Sequence, residues 1–322
     1  MARTRSVIAA VGPVLAGFLT IWTMIGLGYG AGRLGMLGGS AERVLTSFVF
    51  TFSMPALVFA VLSRASLRSL ASPALPPVLI GAGVVALVAI GLEWWRGVRR
   101  GEELAITAMA AGYLNAGNLG IPVAAQVLGD AALVVPFMLV QLTVLTPAVL
   151  LALDLGTGGG WSWRTFTLPL RNPVLIASIA GGACAATGWR PPAYLLAPAD
   201  MLAGAAMPMA LFVLGLALAP GAAGPRGTAS DAGSPRWLAW VVSVLKVVVH
   251  PLVAYLVGRY LLRLDPTMLQ VAVVLAGLPA AQNMFLYASR YRAGERLARD
   301  VVVRSTLLAM LTLVVIAVLL RP

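Results

Sequence analysis

The stretch NAGNLGIP, Asn115 to Pro122, interrupts a run that otherwise reads as a membrane span. AITAMAAGYL precedes it and VAAQVLG follows it, so two amides, two glycines and a proline stand where hydrocarbon should be. Proline and glycine break the hydrogen-bond ladder of a helix, and each unpaired backbone group in lipid costs several kcal/mol. Such a break is tolerated only inside protein or beside a wet cavity. Asn115 and Asn118 are three residues apart, so residual helix sets them on one face. Their amides can serve the freed backbone or a solute.

The surroundings are those of a membrane protein. Hydrophobic residues make up 60% of the 322 and charged residues 11%, with a mean hydropathy of +0.93. A soluble domain carries about a quarter charged residues, so no polar shell of ordinary size can be built. The single cysteine, Cys184, excludes an intramolecular disulfide and a cysteine metal site. The net charge of +12 comes from arginines in short connections between apolar runs, which fits a positive cytoplasmic face rather than a nucleic-acid footprint.

A span needs about 20 mainly apolar residues. Ten such runs are read near 7–31, 43–62, 74–94, 103–127, 131–154, 172–188, 200–219, 236–262, 267–288 and 299–320. Arg3 and Arg5 precede the first, but its apolar stretch is too long for a signal peptide and no small-residue cleavage site follows, so it is expected to be retained. With ten spans both termini share one side. Connections on that side hold eight arginines and those on the other thirteen, which places both termini outside the cytoplasm of a multi-pass inner-membrane protein. The linker DLGTGGGWSWR, Asp154 to Arg164, separates two five-span halves, at 1–154 and 172–322, joined through 155–171. PGAAGPRGTASDAGSP, Pro220 to Pro235, has the composition of a flexible connection.

The halves repeat. SMPALVFAVL with Pro55 in the second span matches AMPMALFVLG with Pro208 in the seventh. AGYLNAGNLGIP in the fourth matches AGLPAAQNMFLY in the ninth, which sets Asn118 opposite Asn283. Five spans is an odd number, so the second half enters the membrane with opposite polarity, the inverted-repeat architecture of secondary transporters. The ninth span breaks at Pro279, with Gln282 and Asn283 just beyond. A pair of broken spans in corresponding positions is the sequence pointer to a transporter's binding site. The competing reading, that proline and small residues only aid helix packing, is preferred for Pro55 and Pro208, which lack polar neighbours of this kind.

LKVVVHP sets Lys246, the single lysine, four residues before His250, the single histidine, deep in the eighth span. A lysine at a helix centre costs about 2.5–3.5 kcal/mol on insertion scales. Lys246 therefore faces a cavity or snorkels to the interface, and the sequence leaves both open. GAGRLG, Gly30 to Gly35, matches a dinucleotide fingerprint by pattern only, since no strand precedes it. Gly26, Gly28, Gly30 and Gly32 read as a helix-packing stripe instead. Trp94, Trp95, Trp161, Trp163, Trp237 and Trp240 read as interfacial belts, and Glu93 and Asp154 as interfacial acids. No nucleophile–base set and no metal-spaced histidines occur, so neither enzyme chemistry nor a cofactor is expected.

NAGNLGIP in the fourth span and LAGLPAAQNMFLYASRY in the ninth resemble the auxin efflux carrier family, which includes plant PIN-FORMED carriers and bacterial malate and malonate permeases. SMPALVF, RNPVL and RSTLLAMLTL extend the resemblance across almost the whole chain. It implies an all-α integral membrane protein of ten transmembrane helices in two inverted five-helix repeats. The fourth and ninth helices would be broken and would cross at the substrate site. It also implies transport of a small organic anion, with Asn115, Gly117, Asn118 and Pro122 in one crossover and Pro279, Gln282 and Asn283 in the other. Leu114 departs from the pattern, standing where plant carriers have proline. Partners expected are the organic anion and the lipid bilayer, with a homodimer one possible assembly and nucleic acid excluded. A receptor or sensor that keeps the carrier fold without transporting is the alternative.

Overall fold

A computed structural model describes residues 19–20, 22–64, 72–157, 173–219 and 234–320. Most of the 155–171 linker and of the Pro220–Pro235 connection lies outside the described residues, as does the start of the first run. The described chain is helical, and no strand is present in it. The helices are α1 (22–33), α2 (Ala41–Ser63), α3 (Leu75–Trp95), α4 (Gly101–Gly112), α5 (116–127), α6 (Ala132–Gly156), α7 (Pro173–Thr187), α8 (Ala193–Leu218), α9 (Arg236–Leu261), α10 (Pro266–Ala276), α11 (Asn283–Tyr291) and α12 (Glu295–Leu319). Six of them (α2, α3, α6, α8, α9 and α12) are long and apolar enough to cross a membrane.

Proline shapes these helices in a regular way. Four helices widen into a π turn whose last residue lies two before a proline. The turns are Val49–Ser53 before Pro55, Ala116–Gly120 before Pro122, Gln141–Leu145 before Pro147, and Leu245–Val249 before Pro251. Proline lacks an N–H and its ring presses on the carbonyl four residues back. Widening the preceding turn relieves that clash and keeps the helix continuous. It also rotates the side chains of the turn relative to the regular helical face, which matters for Gln141 and Lys246 below.

The helices pack in two groups. α2 lies against α7 and α8, while α3 packs on α4 and α9, α4 on α6, and α9 on α12. Small residues allow the closest approach. A Cβ on Gly28 of α1 would stand 2.0 Å from Phe212 O of α8, and one on Gly215 would stand 2.1 Å from Ile25 O, so the two backbones touch through paired glycines. Gly32 also faces α8, whereas Gly26 and Gly30 face open space. Only alternate members of the glycine stripe therefore pack, because residues two apart point to opposite sides of a helix. The ends of the helices are stapled by polar pairs. Arg64 grips Asp200 of α8 with a two-pronged fork (2.7 and 2.6 Å), Thr107 Oγ1 donates to Glu93 (3.3 Å), and Tyr291 OH donates to Asp154 (2.6 Å).

Candidate functional site

Between α4 and α5 the chain is extended at Tyr113–Asn115, and between α10 and α11 it is non-helical over 277–282. These two breaks meet. Leu114 and Ala280 pair as an isolated antiparallel bridge, and Asn115 N–H donates to Pro279 O at 2.9 Å. Each break thus supplies part of what the other lost. Side chains from neighbouring helices serve four further backbone groups: Leu114 N–H and O, Ala280 N–H and Ala276 O.

Gln141 of α6 does this for the first break. Its Oε1 accepts from Leu114 N–H at 3.0 Å and its Nε2 donates to Leu114 O at 2.9 Å, so one amide replaces two lost ladder bonds. Thr146 Oγ1 donates to Gln141 O at 2.8 Å and pairs with Tyr113 OH, tying α6 to the end of α4. For the second break, Ser305 Oγ of α12 accepts from Ala280 N–H at 3.1 Å. Lys246 Nζ of α9 donates to Ala276 O, at the C-terminus of α10, at 3.2 Å. Lys246 also pairs with His250 Nδ1 (3.0 Å), and His250 Nε2 with Val78 O of α3 (3.0 Å). A carbonyl oxygen only accepts, so Nε2 carries the proton, and Nδ1 of the neutral ring accepts from Lys246. Both Gln141 and Lys246 belong to π turns, which aim them at the crossover.

Beside the crossing point lies a cavity of about 260 Å³. Its polar wall includes Tyr113, Asn115, Gln141, Gln282 and Asn283; Gly117 and apolar residues such as Met54, Leu57 and Met207 complete it. No charged side chain lines it among the described residues. α5 and α11 both begin here. The N–H groups of Leu119 and Gly120 turn back to Asn115 O, and those of Met284 and Phe285 to Ala281 O and Gln282 O. Among the described residues the N–H groups of Ala116, Gly117, Gln282 and Asn283 make no such bond, as expected of a helix's first turn. Two further atoms are unsatisfied there: Gln282 Oε1 and Asn283 Oδ1 have no hydrogen-bond partner among the described residues. Gln282 Nε2 donates to Met207 Sδ at 3.2 Å. The Asn283 amide lies beside the hydroxyls of Tyr113 and Tyr287, without an aligned bond to Oδ1.

A family model described as "Membrane transport protein" matches residues 13–156 and 165–317. The chain belongs to the auxin efflux carrier family of membrane transport proteins. It is a multi-pass membrane protein of that family. Among family relatives, a protein of Rhizobium meliloti (strain 1021) named "Putative malonate transporter" is 30% identical, covering 94% of this chain and 94% of its own length. A Methanothermobacter thermautotrophicus protein named "Uncharacterized transporter" is 28% identical, covering 92% of this chain and 94% of its own.

In this family member, Asn115, Gly117, Gln282 and Asn283 meet at one cavity, and Pro279 supplies a crossover carbonyl. The backbone of Asn118 and Pro122 runs in α5, and their side chains lie outside the described residues. Lys246 and His250 are fully buried and stand behind α10, not on the cavity wall. The sequence offers the cavity or the interface for Lys246. The structure gives it a third place, because the last carbonyls of α10 have no partner within that helix and a buried amine can supply one. Gln141, Ser305 and Met207 were not singled out in the sequence. Gln141 carries a signal that could have found it, as a lone amide inside the apolar run VPFMLVQLTVL. A buried amide in lipid must have a partner.

Proposed function

We propose that the chain is a secondary transporter that moves small organic anions, carboxylates such as malate, malonate or auxin-like acids, across the membrane by alternating access. One observation carries this reading: two half-helix N-termini open onto a single neutral cavity that also holds unpartnered amide oxygens. Each helix N-terminus carries about half a positive charge in addition to its free N–H donors. Two of them suit an anion without a buried arginine. The Rhizobium relative's name makes malonate the first acid to try.

The reading includes ten transmembrane helices in two inverted repeats, with α4–α5 and α10–α11 as the fourth and ninth. The bracing of the crossover supports it. Gln141 of α6 braces Leu114 and Ser305 of α12 braces Ala280, the two residues paired across the crossing, and the two side chains are 164 residues apart, close to the 165 between Asn118 and Asn283. In this reading the repeats occupy 1–154 and 172–322, and both termini lie outside the cytoplasm of the inner membrane. The site comprises Asn115, Gly117, Asn118, Pro122, Pro279, Gln282 and Asn283, with Lys246 and His250 acting on it from behind α10. Flux of labelled malonate and malate into proteoliposomes tests the function. Saturable uptake supports it. Ligand binding without net movement would instead support a sensor that keeps the carrier fold.

A further inference from the structure

The cavity offers donors and acceptors at once, and the acceptors are not needed for a carboxylate. N–H groups of Ala116, Gly117, Gln282 and Asn283 can hold an anionic group. Gln282 Oε1 and Asn283 Oδ1 are carbonyl oxygens, and their lone pairs would repel that same group. Both residues are nearly fully buried, at 1% and 5% exposure, and both line the cavity. The orientation of the Gln282 amide is fixed by chemistry: Nε2 donates to Met207 Sδ, and a flipped amide would set oxygen against sulfur, two acceptors together. At Asn283 the Tyr287 hydroxyl, itself without a hydrogen-bond partner among the described residues, lies beside the amide and can supply a proton. Gln282 Oε1 is therefore the acceptor that a ligand must meet. Tyr113 supplies no proton to Asn283. Thr146 gives its own hydrogen to Gln141 O, so Thr146 Oγ1 is left to accept the proton of Tyr113 OH.

We propose that the cavity selects a monoanion whose far end donates a hydrogen bond, from an un-ionised carboxyl, a hydroxyl or an amide N–H, to Gln282 Oε1. This rests on the anion-transport reading above and narrows it. The neutral wall points the same way, since a second negative charge would enter a low-dielectric site whose lining, among the described residues, holds no cation to meet it. A dicarboxylic acid therefore binds as its hydrogen form, one end ionised at the half-helix N-termini and the other end carrying its proton. The volume of about 260 Å³ confines the ligand to a small acid.

The test uses two isosteric monoanions that differ at one atom, N-methylmalonamate (N–H donor) and monomethyl malonate (ester oxygen, no donor). Binding of each to the purified full-length protein is measured by calorimetry at neutral pH. The expected result is that the amide binds about 10-fold tighter, and that the ratio falls towards one in Gln282→Leu. Equal binding of the two to the wild-type protein overturns the proposal while leaving the anion site standing. If neither of these, nor malonate, nor malate binds, the proposal and the anion-transport reading fall together.

Discussion

Replacing Gln141 by leucine removes both bonds that its amide makes to Leu114 while nearly conserving side-chain size. The N–H of Leu114 loses an acceptor at 3.0 Å and its carbonyl loses a donor at 2.9 Å, in a residue that is 5% exposed. A buried group left without its partner costs about 1–3 kcal/mol, so two groups cost about 2–6 kcal/mol. Water entering from the adjacent cavity would draw the value towards the lower end. Net stabilities of about 5–15 kcal/mol make even that loss large. Gln141→Glu separates the two contacts. Its carboxylate still accepts from Leu114 N–H but sets an oxygen against Leu114 O. Once protonated it again offers one donor and one acceptor, so its stability deficit should shrink as pH falls. The assay is thermal unfolding of purified protein in detergent, with ligand affinity measured on the same samples. Gln141→Leu that melts and binds like the wild type would refute the view that this amide holds the crossover together.

Lys246→Met keeps the length of the side chain and removes the bond to Ala276 O, so it should lower the melting temperature and weaken anion binding only as far as the crossover loosens; unchanged stability would count against the bracing role. Gly215→Leu puts a Cβ 2.1 Å from Ile25 O and should prevent α1 from seating on α8, seen as loss of folded, monodisperse protein in size-exclusion chromatography. With Cys184 changed to serine, a cysteine at Gly159 in the linker should be labelled from the cytoplasmic side, as the arginine distribution requires; labelling from outside in intact cells would reverse the orientation.

The breaks themselves were legible because Gly, Pro and Asn inside an apolar run have no other economical explanation in lipid. NAGNLGIP and LPAAQN mark the two places where helix stops, and the structure puts Asn115, Gln282 and Asn283 on one cavity. What closes the breaks was not legible. Gln141 lies 27 residues from Leu114, and Lys246 lies 30 from Ala276, distances that only the fold collapses. The i, i+4 spacing of Lys246 and His250 shows that they share a helix face but not what that face meets. The π turns are visible only in retrospect: four of them end two residues before a proline, yet Pro198 and Pro208 of α8 have none. The glycine stripe of α1 shows the same limit: its spacing shows small residues, and only the position of α8 decides that Gly28 and Gly32 are the ones used.

The claim that the two crossovers hold the transported anion is tested most directly by ligand affinity in Asn283→Ala, with Asn118→Ala beside it and thermal stability measured on the same purified samples. The ligand is the tightest-binding acid of a mono- and dicarboxylate screen that begins with malonate. Asn283 lines the cavity and loses both amide donors and its free oxygen on truncation. Losing such a partner in a largely dry site costs about 1–3 kcal/mol, or roughly 5- to 150-fold in affinity. The account predicts a weakening in that range for each variant while the protein still folds and inserts. Affinity equal to the wild type in both would contradict it.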